Sequence, residues 1–261
     1  PASAEAQDDV TRYLRYEVDG QVSYGILDGQ TVRELDGNLF DMPATTGRTH
    51  DLSSVDVLAP VARPSKVIAI GFNYESHIAE GQELPEEPGV FWKSPTSVIG
   101  MGEDIVKPYD ARELHYEGEM VIVIGTRAEN VPEEDAYDYI FGVMAGNDVS
   151  ERVWQANDLQ WFRGKGSDTF APTGPVVARG LDYDDLLLTT RVNGEVMQQE
   201  RTSDLLFDVS TIVSYVSRYV TVEPGDLIYT GTPGSTSALE DGDVVEIELE
   251  GVGELRNRVR R

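Results

Sequence analysis

Cysteine is absent from the 261 residues. That removes disulfides, zinc–thiolate sites and thiol nucleophiles. Histidine is scarce: only His50, His77 and His115 occur. An imidazole-rich transition-metal centre is therefore not expected, and any metal has to be held mainly by oxygen. Lysine is confined to Lys66, Lys93, Lys107 and Lys165, the remaining cations being arginines. No stretch approaches the ~18 consecutive apolar residues that suggest a membrane-spanning helix. The opening Pro1-Ala2-Ser3-Ala4-Glu5 is polar and acidic, unlike a signal peptide. These absences predict a cytoplasmic protein without membrane association.

What the chain has in excess is acid. Asp and Glu number 47 against 21 Lys and Arg, a formal net charge of −26. Such a field repels nucleic acid and anionic membranes, so a small molecule is the expected partner. The acids are spread along the whole chain, where their mutual repulsion is screened at molar salt by a Debye length of about 3 Å. With lysine so rare, the composition reads as a halophile's enzyme, a generic acidic protein being the other reading. The 40% of hydrophobic residues suffices for one large domain, or a domain with a small appendage.

Residues 12–40 alternate apolar and polar positions around Asp19-Gly20 and Asp28-Gly29, which predicts short strands joined by hairpin turns. The segment from Asn38 to Arg63 is less regular. A small N-terminal β-rich domain is expected over 1–63 and a larger one over 64–261. In the latter, KVIAIGF reads as a strand ending at Gly71, with Asn73 capping a short helix that carries Glu75 to Glu80. GVFWK and EMVIVIG read as further strands, and GVMAGNDVS as a strand entering a helix whose first turn is Ser150-Glu151-Arg152. Thr202–Tyr219 has helical spacing with Ser203 as its N-cap, and DVVEIELE sets Val245, Ile247 and Leu249 on one strand face. Strands dominate, giving an α+β class with a mixed sheet.

Several constellations carry chemistry. Glu117 and Glu119 flank Gly118 at the mouth of the apolar run Val121–Ile124. In a strand, residues two apart share a face, so both carboxylates point the same way. They either bind a divalent cation or form a solvated edge, and Gly118 favours the first by admitting a close approach to the backbone. Asp148 supplies a third carboxylate, its other use being an N-cap. Three carboxylates without thiols select a hard ion, Mg²⁺ or Mn²⁺, with Ca²⁺ also admissible. His77 and Glu80 are three apart and would share a helix face, as a general base with its orienting carboxylate or as a surface pair. Lys165, between Gly164 and Gly166, is a candidate for stabilising an anion or enolate, or a flexible-loop lysine. Tyr229–Ser235 offers backbone N–H groups and the Thr230 and Thr232 hydroxyls as a carboxylate cradle, or a plain turn.

In order along the chain, GFNYESHIAE, FWKSPTSVIG, HYEGEMVIVIG, GNDVSERVWQ, KGSDTFAPTGP, VNGEVMQ and EPGDLIYTGTP resemble the fumarylacetoacetate hydrolase family, in its acylpyruvase and oxaloacetate decarboxylase-like branch. The resemblance implies a mixed β-sheet roll and a homodimer. It implies Mg²⁺ or Mn²⁺ on Glu117, Glu119 and Asp148, and His77 with Glu80 as a water-activating dyad on a lid segment. It further implies that Lys165 steadies an enolate, that Arg152 and Gln155 lie near the ligand, and that Thr232 contacts the substrate carboxylate. A fourth family carboxylate has no counterpart in Ala69–Phe72. After the GTP turn the branch usually continues Gly-Val-Gly, whereas this chain reads Gly234-Ser235-Thr236-Ser237.

The chemistry implied is breakage of a C–C bond next to a 2-oxo acid through a stabilised enolate, by acylpyruvate hydrolysis or oxaloacetate decarboxylation. Isomerisation of 2-hydroxyhepta-2,4-diene-1,7-dioate and dehydration of a 2-keto-3-deoxy sugar acid use the same electron sink. From another class, a non-catalytic cation-binding protein would leave His77 and Lys165 without a purpose.

Overall fold

The computed structural model describes residues 10–261; the opening Pro1–Glu5 lies outside them. The architecture is built around one strand, Gly118–Ile124, buried at every position. Its alternation explains the continuous apolar run. Met120, Ile122 and Ile124 enter one hydrophobic cluster, and Val121 and Val123 enter another. The strand is therefore covered on both faces, as β-branched runs without polar alternation usually are.

This strand pairs antiparallel with Ile140–Asn147 and with Leu227–Tyr229. Both belong to a twelve-stranded sheet. Beyond Leu227–Tyr229 lie Val67–Gly71, which pairs with it in parallel, and then the edge strand Gly89–Lys93. Beyond Ile140–Asn147 lie Ala171–Arg179 and then the N-terminal strands Thr11–Val18, Gln21–Asp28, Thr31–Leu35 and Thr45–Asp51. A five-stranded sheet contributes Leu188, Val245, Ile247, Leu249, Leu255 and Val259 to the same cluster as Ile122. The eleven-residue helix Val209–Tyr219 adds Val209, Ile212, Val213 and Val216 to it. The only other α-helices among the described residues, Arg152–Asn157 and Phe162–Gly166, are short. This is the α+β, mixed-sheet fold expected from the sequence, poor in helix.

Local expectations fared unevenly. Asp19 and Gly20, both at positive φ, close the first hairpin, Val18 facing Gln21. In the second, Asp28 faces Thr31, so the turn is Gly29-Gln30, one residue later than the Asp-Gly pair suggested. The irregular segment after Asn38 contains Thr45–Asp51, an edge strand exposed at nearly every position. With no buried face it has no hydrophobic alternation to betray it. The long helix begins at Val209, where Asp208 caps it by accepting from the Thr211 N–H; Thr202–Asp204 is a separate 3₁₀ turn. Ser150-Glu151 forms a short bridge strand with Leu114-His115, and Glu151 caps the helix that starts at Arg152.

Candidate active site

The sheet delivers the carboxylates. Glu117 stands just before the central strand and Glu119 is its second residue. Pairing Gly118 with Asn147 brings Asp148 alongside. Its N–H donates to the Glu117 carbonyl at 2.8 Å, while the Glu117 N–H donates to Asn147 Oδ1 at 2.9 Å. One oxygen from each of Glu117, Glu119 and Asp148 lies within 4.8 Å of the other two. None of the three is more than 4% exposed, so the solvated-edge reading of the pair fails. So does the N-cap reading of Asp148, since Glu151 is the cap. Gly118 is explained by the strand Leu187–Val192 of the five-stranded sheet instead of by a ligand: a Cβ there would sit 1.9 Å from Thr190 Oγ1.

Burying three carboxylates costs several kcal/mol per ion unless cations accompany them. The five apolar side chains of the same strand offset part of this, on the order of 10 kcal/mol together. Cations supply the rest. Lys165 Nζ lies 2.7 Å from both Glu117 Oε2 and Asp148 Oδ2. It sits in the short helix Phe162–Gly166 with its side chain 3% exposed, so it is no flexible-loop lysine. Arg152 NH1 is 2.6 Å from Glu117 Oε1. Lys93, to which the sequence reading gave no role, donates to Asp148 Oδ1 and to the Lys165 carbonyl.

All three cations serve Glu117 and Asp148. Among the described residues Glu119 has no cation; its partner is the Gly231 N–H, 2.8 Å from Oε2. Thus the presumed cradle of Tyr229–Ser235 spends that N–H on the protein's own carboxylate. Gly231 is at φ +109°, and a Cβ there would meet Asn73 Cβ at 2.7 Å, so only glycine serves. The electrostatics diverge accordingly. Burial works against ionisation of Glu117, but Lys165 and Arg152 hold its carboxyl well below the usual range. Burial, with the charges of Asp148 and Glu117, pushes Glu119 well above it. Burial likewise lowers the Lys93 ammonium, while for Lys165 the carboxylates outweigh burial and raise it. A buried all-oxygen trio, one member lacking a counter-charge, fits a hard divalent cation.

A cavity of about 270 Å³ opens on this floor, lined by all three carboxylates, Lys165, Arg152, Gln155, Thr232 and His77. Phe72, Phe91 and Trp161 give it an aromatic wall, Phe91 and Trp161 meeting edge to face. The Gln155 amide oxygen accepts from Arg152 NH1 at 2.8 Å, which leaves its NH₂ group for the cavity. The Thr232 hydroxyl donates to the Gly118 carbonyl at 2.8 Å and accepts from Gln198 Nε2 at 2.9 Å. Its proton is therefore committed to the backbone.

The rim departs from the sequence expectation. The helix expected over Glu75–Glu80 is a 3₁₀ turn that ends at His77. Asn73 does not cap it. Its side chain is buried, donating to the Phe207 and Thr230 carbonyls and accepting from the Phe207 N–H. With no helix beyond His77, no helical face is shared with Glu80, which is exposed and not among the lining residues. His77 Nδ1 instead donates to the Gly234 carbonyl at 2.6 Å. That fixes the tautomer of the neutral ring, in which Nε2 is the acceptor. Three positioning residues, Lys93, Asn73 and Gln198, are not recognised as such from the sequence. Lys93 carried a readable signal, being one of four lysines and placed in an apolar strand. Asn73 reads in the sequence as a helix cap, which it is not, and Gln198 closes the VNGEVMQ segment, but its place in the half-exposed strand Glu195–Arg201 suggests no role.

No described helix is long and apolar enough to cross a membrane. Residues 66–260 match the family model described as "Fumarylacetoacetate (FAA) hydrolase C-terminal", and residues 11–60 match "Rv2993c-like, N-terminal". The chain is 44% identical to Protein Rv2993c of Mycobacterium tuberculosis, over 92% of this chain and 94% of that one. It is 37% identical to the mitochondrial oxaloacetate tautomerase fahd2 of Xenopus laevis, over 79% and 69%. Among solved structures, 2-hydroxyhepta-2,4-diene-1,7-dioate isomerase from Mycobacterium marinum superposes with a TM-score of 0.90 at 41% identity, covering 96% of this chain and 98% of that one. The chain belongs to the fumarylacetoacetate hydrolase family.

Proposed function

We propose that the chain enolises a small 2-oxo acid, and that its reaction is proton transfer beside the 2-oxo group: keto–enol tautomerisation or the isomerisation of an unsaturated dioate. One observation carries this reading. A single histidine acceptor faces the Lys165-bridged carboxylates across one aromatic-walled cavity, with Glu80 outside it. A bound Mg²⁺ or Mn²⁺, held by Glu117, Glu119 and Asp148, would act as a Lewis acid toward the carboxylate and keto oxygens and would give a near-neutral pocket the positive charge that a dianion matches.

The protein's own groups do the rest. His77 Nε2 takes the proton from the carbon next to the keto group and returns it at the oxygen or at a distal carbon, its orientation held by the Gly234 carbonyl. Lys165 spends two N–H groups on Glu117 and Asp148, leaving the third for the oxygen on which charge develops. The Phe72, Phe91 and Trp161 wall keeps water from the carbanionic carbon. The names of the Xenopus and Mycobacterium marinum relatives point to the same class of chemistry.

A second reading, cleavage of the C–C bond by acylpyruvate hydrolysis or oxaloacetate decarboxylation, is favoured by the His77/Glu80 spacing. Hydrolysis needs a water-activating base, which the present rim does not pair with a carboxylate; decarboxylation needs only the electron sink and is told apart by pyruvate release from oxaloacetate. The proposal also includes a homodimer in a high-salt cytoplasm. Supporting it are the charge of −26 and the exposed Val90, Trp92 and Phe162, which line an acid-free groove at the edge strand Gly89–Lys93.

The test follows loss of the oxaloacetate enol and, in parallel, pyruvate release from oxaloacetate and from acetylpyruvate, with Mg²⁺, Mn²⁺ or EDTA. Metal-dependent enol conversion that His77→Ala slows by about 10²-fold or more, without pyruvate, supports tautomerisation. Pyruvate from acetylpyruvate at a comparable rate moves the assignment to cleavage. Full activity in EDTA overturns the metal-assisted reading.

A further inference from the structure

The loop that departs from the family pattern, Gly234-Ser235-Thr236-Ser237, meets the site at two points: the Gly234 carbonyl orients His77, and the Thr236 hydroxyl meets Arg152. Arg152 NH2 donates to Thr236 Oγ1 at 2.8 Å, and His115 Nδ1 lies 2.9 Å from the same oxygen. Arginine is donor only, so the Thr236 oxygen accepts from it. The arrangement that satisfies all three groups sends the single hydroxyl proton to His115 Nδ1. Arg152 is thus held at three points, by Glu117, Gln155 and Thr236. Its guanidinium has five N–H donors, which leaves donors free beside the cavity it lines. The backbone next to Thr236 is anchored as well: Ala238 bridges His115, and the Leu239 N–H donates to the Leu114 carbonyl at 2.6 Å. A valine at 236 would keep the shape and lose both hydrogen bonds.

We infer that Thr236 is a positioning residue whose hydroxyl, backed by His115, sets the Arg152 guanidinium and through it the preference of the cavity for a substrate with an anionic tail. This rests on the reading of the cavity as a 2-oxo acid site. It predicts selection at the tail and not at the 2-oxo head, which the floor holds.

A matched pair of ligands separates the two ends. 2-Oxoglutarate and 2-oxopentanoate share head and chain length and differ only in the distal carboxylate. Their affinities for the Mg²⁺-loaded protein are measured by calorimetry for wild type, Thr236→Val and Thr236→Ser. The expected result is that wild type prefers 2-oxoglutarate. Thr236→Val should weaken it by about tenfold, the scale of a hydrogen bond to a charged group, while 2-oxopentanoate stays within about twofold. Thr236→Ser should restore the preference. Equal weakening of both ligands, or no rescue by serine, overturns the positioning role and reduces Thr236 to loop structure. Wild type binding both ligands equally overturns this inference alone. Wild type binding neither overturns the 2-oxo acid reading and this inference with it.

Discussion

The floor of the cavity and its rim place charged groups by opposite means. The floor is the start of a strand covered on both faces. There Glu117, Glu119, Asp148, Lys93 and Lys165 are all nearly inaccessible, and every orientation is set by sheet register or by an ion pair. The rim is a three-residue 3₁₀ turn followed by an exposed loop. His77 is oriented there by one carbonyl of another loop, and Ser76 accepts from the Gly234 N–H at 2.9 Å. The floor is rigid because moving any member exposes an unpaired buried charge; the rim is held by a few hydrogen bonds near solvent. Chemistry that needs fixed charge belongs on the first, and adaptation to different substrates on the second.

The largest effect should come from breaking the floor. Lys165→Met leaves Glu117 and Asp148 without their shared ammonium. Removing one partner of a buried ion pair costs about 3–5 kcal/mol. Denaturant unfolding in EDTA should show that loss, and added Mg²⁺ should recover more stability for the variant than for wild type, because a cation then replaces a cation. A variant as stable as wild type in EDTA would mean that the floor tolerates unpaired charge and is not the rigid half.

Asn73 lies where floor becomes rim, and its three side-chain hydrogen bonds tie the end of Val67–Gly71 to Phe207 and Thr230. Asn73→Ala abandons buried backbone partners, so a loss of roughly 2–3 kcal/mol is expected at about 1 kcal/mol per bond. The same denaturant curves measure it, and a loss under about 0.5 kcal/mol would show that the junction does not hold the rim.

A smaller effect should come from Asp208, next to Phe207, which caps the helix behind that junction. Burial opposes its ionisation, but hydrogen bonds from the Thr211 N–H and Ser210 lower its pKa overall. A lowered folded-state pKa means the stabilisation is complete above the unfolded value, about 3.9, and fades as pH falls through the folded value. Asp208→Ala should therefore cost about 1 kcal/mol at neutral pH, and the gap from wild type should narrow only in acid below about pH 4. A gap constant down to pH 2 would remove the charged cap from the account.

The floor was legible in the sequence for the reason it is rigid. Strand periodicity is local, so the shared direction of Glu117 and Glu119 at the mouth of the apolar run Val121–Ile124 follows from neighbouring residues alone. Lys165 was singled out by its rarity, though not as part of a helix. The rim was not legible, because its geometry is decided by distant partners. Phe207 claims the side chain that looked like a helix cap, and Gly234 claims the imidazole nitrogen that spacing had assigned to Glu80. Lys93 fell between the two: its scarcity marked it, but only the fold reveals that it holds both Asp148 and Lys165 in place.

Glu80 should then show the smallest effect and the sharpest contrast. It is exposed, unpaired with His77, and outside the cavity. If the rim works in the geometry described, Glu80→Ala should change enol conversion by less than about twofold, whereas His77→Ala costs about 10² or more. Were Glu80→Ala to slow the reaction as much as His77→Ala, the His77 contact with Gly234 would be a resting one. The rim would have to refold through the turn from Ala79 to Gln82 for the carboxylate to reach the imidazole. The water-activating pair needed for C–C hydrolysis would then exist in the working enzyme, and the assignment would move from tautomerisation to cleavage. The exposed carboxylate that contributes least to the present geometry is thus the residue on which the choice between the two reactions turns.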